Sequence, residues 1–139
     1  MNCPDCGSLA EVDTQLVTVT VPDRYLDVVP GETETVGLCP HCLSLHPLEA
    51  TDVNGTTHEA FDRMSDVFPA DPDAAIPMAL LLGLLDSLAL YRSEIADLLV
   101  DVERAGVDPL LVLDRLATDA TVNATVDLKG RRRQLEQLL

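Results

Sequence analysis

The chain has four cysteines, set as two pairs of identical spacing with thirty-two residues between them: Cys3-Pro4-Asp5-Cys6 with Gly7 behind it, and Cys39-Pro40-His41-Cys42. No other feature restricts the fold as strongly. Two residues between cysteines let a tight turn aim both sulfurs at one point while its amides face them. Two such turns, with no cysteine left over, can bring four thiolates to one ion. Thiolates hold tetrahedral Zn²⁺ at about 2.3 Å, so Cys3, Cys6, Cys39 and Cys42 are the expected ligands of one structural zinc per chain. The intervening segment has the length of a small β-hairpin assembly, and the pattern predicts a zinc ribbon. His41, inside the second turn, and His46, four residues beyond Cys42, could substitute as ligands and are expected outside the coordination shell.

Two other chemistries use this spacing. In thiol-disulfide exchange a Cys-x-x-Cys pair opens a helix, whose N-terminus lowers the first thiol's pKa. Here Cys42 is followed by Leu-Ser-Leu-His-Pro, whose alternation reads as a strand and whose Pro47 would block the second turn of a helix. Iron or another metal could also take four thiolates. A closed set of four cysteines leaves a zinc ion no open position for substrate, so the site is expected to be structural.

Residues 10–48 carry the strand signals. A partly alternating β-branched run spans 14–21, Pro22-Asp23 and Pro30-Gly31 mark turns, and 33–38 leads into the second cysteine pair. A ribbon this small buries too little apolar surface to fold unaided. Structural zinc offsets that deficit, with binding worth about 10–16 kcal/mol that doubles as folding energy.

The second half reads as helical. Asp71-Pro72 and Asp108-Pro109 each set a capping carboxylate before a proline at the first helical position, where its missing N–H costs nothing. A first helix is expected over about 73–91, apolar nearly all round and therefore central. A second, over about 93–105, should bury Ile95, Leu98, Leu99 and Val102, turn Glu94, Asp97, Asp101 and Glu103 outward, and end at Gly106. A short third helix carries Leu110, Leu113 and Leu116, and Asp127 can cap a last one presenting Leu128, Leu135, Leu138 and Leu139. The expected fold class is α+β: a zinc ribbon over 1–50, a connector over 51–72 in which Phe61, Met64 and Phe68 suit a short helix, and a helical bundle over 73–139. Ala75, Ala79, Gly83 and Ser87 form a row of small side chains that admits a close neighbour, either within the chain or in a homodimer.

Taken together, Cys-Pro-Asp-Cys-Gly at 3–7, Cys-Pro-His-Cys-Leu at 39–43, Ile-Pro-Met-Ala-Leu at 76–80, Gly-Leu-Leu-Asp-Ser-Leu-Ala-Leu at 83–90 and Val-Glu-Arg-Ala-Gly-Val-Asp-Pro-Leu-Leu-Val-Leu-Asp-Arg-Leu at 102–116 resemble a haloarchaeal family of small uncharacterised proteins. The cysteine turns are common to many zinc ribbons, whereas the helical phrases are specific. The resemblance runs the length of the chain and implies host and layout; it assigns no activity.

Charge agrees with that host. Twenty-four acidic residues, sixteen Asp and eight Glu, face eight Arg and a single lysine, Lys129, for a net charge of −15. At molar ionic strength the Debye length falls to about 3 Å, which screens the self-repulsion such a charge causes in dilute buffer. The pattern predicts the cytoplasm of a halophilic archaeon, and the start Met1-Asn2-Cys3-Pro4 is neither basic nor apolar enough for a signal peptide. No membrane span is expected: the longest apolar stretch, 76–85, is too short to cross a bilayer.

These features favour an interaction, adaptor or regulatory protein with an unknown protein partner. Nucleic-acid binding is the alternative. Residues 1–50 oppose it, because eight carboxylates and one basic residue, Arg24, leave that segment at −7 before four thiolates add their charge. The one basic patch is Lys129, Arg131, Arg132 and Arg133, which could meet phosphate or a partner, or pair with Glu136 and the carboxylates of neighbouring helices. Catalysis is not expected, since no phosphate loop, nucleophile motif or paired acid-base spacing is present in the sequence.

Overall fold

The computed structural model describes residues 3, 16–29, 31, 33–48, 61, 64, 66–124 and 126–138. Three short strands form an antiparallel meander in sequence order: β1 (Val17–Thr20), β2 (Thr35–Leu38) and β3 (Leu45–Pro47). A 3-10 segment, Asp23–Val28, lies between β1 and β2, and the second cysteine turn joins β2 to β3. The register aligns Val17 with Leu38 and Leu38 with Leu45, and Val19 with Val36. Period-two alternation therefore gathers Val17, Val19, Val36, Leu38 and Leu45 on one face, where all are buried.

Four helices follow among the described residues: α1 (Pro72–Leu84), which packs against the sheet, α2 (Arg92–Arg104), α3 (Pro109–Thr118) and α4 (Leu128–Glu136). The architecture is α+β. Sheet and helices share one apolar core, running from Val17, Val36 and Leu38 through Met78, Leu81 and Leu85 to Ile95, Leu98, Leu113 and Leu135. Three helices start where a carboxylate can cap them. Asp71 accepts the Asp73 N–H at 3.1 Å, Asp108 those of Leu110 and Leu111 at 3.0 and 3.3 Å, and Asp127 that of Gly130 at 3.2 Å.

Helix α1 is buried on most of its circumference, as its composition predicts, and lies between the sheet and α2. It is shorter than the expected 73–91. Regular helix stops at Leu84, tightens into a 3-10 turn over Leu85–Ser87, and reverses through hydrogen bonds from the Leu90 and Tyr91 amides to the Ser87 carbonyl, at 3.0 and 3.1 Å. The apolar pattern ran on through Leu88 and Leu90, but α2 can cover α1 only if the chain turns back. Leu88 is buried by that reversal and Leu90 is left 73% exposed.

The row of small residues is occupied within the chain. Ala75 and Ala79 are fully buried, and Leu45 of β3 lies over Gly83, where a Cβ would come within 2.0 Å of Leu45 Cδ1. In the connector, Phe61, Met64 and Phe68 are buried, with the two rings stacked at 5.9 Å; most of the short helix expected there lies outside the described residues. Among the described residues no helix is long and apolar enough to cross a membrane.

Candidate metal centre

The sheet has a second face, and the thiols lie on that side. Cys39 follows Leu38 and points the other way. Past the turn, Cys42, Ser44, His46 and Leu48 alternate with Leu43, Leu45 and Pro47. Cys3, Cys39, Cys42, Leu16 and Leu48 form a small cluster of their own, separate from the main core. Leu16 closes over Gly37, where a Cβ would come within 2.8 Å of it.

Within this cluster the sulfurs of Cys3, Cys39 and Cys42 lie within 4.8 Å of one another, with Cys3 and Cys42 3.6 Å apart. All three are buried, at most 3% exposed. A tetrahedron built on bonds of about 2.3 Å has edges of about 3.8 Å, so this donor set fits one ion of zinc's size and ligand preference. Cys6, the fourth expected ligand, lies outside the described residues.

The backbone of the second turn is shaped to hold a thiolate. The Cys39 N–H donates to Ser44 O and the Leu43 N–H to Cys39 O, both at 3.0 Å, closing a tight loop. The Cys42 N–H points at Cys39 Sγ from 3.4 Å. Leu43 pays for this geometry with a left-handed conformation, φ 62°, in the place that Gly7 takes after the first pair. Its side chain is buried in the main core, which offsets the strain of about 1–2 kcal/mol. Burial pushes the Cys39 thiol up to about 11, while the amides of Cys42 and His41 pull it the other way. A cation beside the sulfur would complete what those amides begin.

The two histidines have different surroundings. His46 Nε2 is 2.9 Å from Ser44 Oγ and 3.5 Å from Cys3 Sγ, and Ser44 Oγ is 2.9 Å from Cys42 Sγ. Ser44 and His46 thus bridge two of the thiols, as groups around a metal's own ligands commonly do. The sequence did not single out Ser44 for this position; the alternation from Cys42 to His46 is the signal that would have found it. His41 turns away, and its Nδ1–H donates to the Thr121 carbonyl at 2.7 Å.

The basic residues lie on α4. Arg132 pairs with Asp114 of α3 at 2.6 Å and with Glu136 one turn along. Arg131 reaches Gln134 at 2.9 Å, and Lys129 and Arg133 are exposed. A second polar link was not anticipated. Asp101, expected to face solvent, accepts the Tyr25 hydroxyl at 2.8 Å and pairs with Arg24, fastening the 3-10 segment of the sheet to α2. An open cavity of about 390 Å³ separates the second cysteine turn from the end of α1, lined in part by Leu43, Ser44, Leu45, Asp86, Ser87 and Tyr91.

Fold and site together define a small α+β protein in which a three-stranded sheet carries buried thiols on one side and helices on the other. Over residues 2–139 the chain matches the model of DUF6276, a family of unknown function, and it belongs to that family. No curated protein matches it, and no solved structure does.

Proposed function

We propose that the chain is a zinc-stapled interaction module: a zinc ribbon held by Cys3, Cys6, Cys39 and Cys42, docked on a helical bundle, acting as an adaptor or regulatory protein in the cytoplasm of a halophilic archaeon. The observation that carries the reading is the convergence of Cys3, Cys39 and Cys42 within 4.8 Å, all buried. The acidity supports the salt-rich host, since a net charge of −15 is tolerable where salt screens it. Four protein ligands leave zinc no open position, which favours a structural over a catalytic role. The adaptor role follows from what such a staple does: it holds a surface in shape without taking part in chemistry.

Native mass spectrometry of freshly purified protein should find about one zinc per chain, lost on Cys39→Ser. A folded, metal-free protein with oxidised cysteines would end the reading. Capture from native-salt lysate, with and without nuclease, tests the partner. RNA or DNA retained by the wild type and lost on Lys129→Glu with Arg133→Glu would replace the adaptor with a nucleic-acid-associated factor.

A further inference from the structure

His41 stands between two of the cysteines yet touches the far half of the chain. Its Nδ1–H donates to Thr121 O at 2.7 Å, and its own carbonyl accepts the Asn123 N–H at 2.8 Å. The loop that it grips is already organised. Asp119 Oδ1 accepts from the Thr121 N–H at 2.8 Å and from its hydroxyl at 2.6 Å, and the Val122 N–H bonds Asp119 O at 3.2 Å. This loop joins α3 to α4 and leads directly to Asp127, the cap of the basic helix.

We infer that metal binding at the cysteine cluster seats the α3–α4 loop, so that the loop and the approach to α4 respond to metal occupancy. The inference rests on the metal reading above. Both clasp groups belong to one residue, whose backbone is bracketed by Cys39 and Cys42. Holding those two sulfurs at one ion fixes the turn between them and, with it, the direction of the His41 carbonyl and ring. A turn released from the ion can open, and both hydrogen bonds then go together. Helix α4 remains packed through Leu128 and Leu135, so the response belongs to the loop and not to the whole bundle. Binding linkage makes the coupling reciprocal: a seated loop tightens the metal by the same factor that the metal tightens the loop.

Amide hydrogen exchange by NMR on the full chain in molar salt tests this, with zinc bound and after chelation. The Asn123 amide should exchange faster by about tenfold without metal, the scale of two modest hydrogen bonds, while the amides of Leu98 and Leu113 keep their protection. In His41→Ala, with zinc still bound, Asn123 exchange should rise and the zinc Kd, measured against a chromophoric chelator, should weaken by about threefold to tenfold. Should chelation unfold the whole chain, the zinc-loaded His41→Ala protein decides alone. Zinc that binds and leaves with Asn123 exchange unchanged, or an unaltered Kd in His41→Ala, overturns the inference and leaves the zinc site standing. A chain that takes up no zinc overturns both.

Discussion

A single methyl group on residue 83 would collide with Leu45, because helix and sheet approach each other there with no room for a side chain. Gly83→Ala should therefore lower stability by about 1–3 kcal/mol, the usual cost of overpacking, read from guanidinium unfolding. Leu45→Ala in the same background should recover part of the loss, because the two residues share one contact. Tyr25 supplies a pH test. Its neutral form is favoured in the fold by burial, then by its hydrogen bond to Asp101, which together raise its pKa above the ordinary 10.0. The stability linked to that shift is complete below pH 10 and declines as pH rises further. Tyr25→Phe should cost about 1–3 kcal/mol near neutrality, and the gap from wild type should narrow as unfolding is measured at higher pH. At this scale the sequence was partly legible. The cysteine spacing pointed to Cys3, Cys39 and Cys42, which the fold brings together, whereas Ser44 and Asp101 gained their roles from neighbours two and seventy-six residues away.

Among the elements, helix starts were the most readable signal and helix ends the least. An Asp-Pro step specifies a cap through contacts within one turn, so Asp71 and Asp108 do what local chemistry demands. Asp108→Ala should cost about 1 kcal/mol, and Asp127→Ala less, because Asp108 serves two amides and Asp127 one, checked by thermal unfolding and by loss of helical signal. The end of α1 obeyed a longer-range demand. The residues from Leu85 to Leu90 could have continued the helix on propensity, and the chain gave that up so that α2 could cover α1. The strands were legible as runs, with β1, β2 and β3 falling inside or against the predicted segments, because alternation is a local property. Their register was not, because it depends on which face the helices cover.

For the molecule as a whole, the sheet divides two apolar clusters of the described residues, a large one shared with the helices and a small one around the thiols. Among the described residues the thiol side buries Leu16, Leu48, Cys3, Cys39 and Cys42, and a metal held there would add binding energy that doubles as folding energy. Chelation should therefore loosen the sheet first and reduce overall stability, visible as a lowered melting temperature restored by added zinc. The charge sets a second dependence. With a net charge of −15, the folded chain should melt at higher temperature in molar KCl than in dilute buffer, whether or not the metal is present.

The amino-acid sequence by itself determined the cysteine pairs and their spacing, the acidic charge, the helix caps and the α+β order, since each is written in residues close along the chain. Tertiary structure alone decided that the small-residue row would be filled by Leu45, that α1 would end at Leu84, that Asp101 would bind Tyr25, and that His41 would clasp the α3–α4 loop instead of facing the thiols. Those outcomes depend on contacts between distant segments, and a contact is specified by both partners and by everything that packs them together.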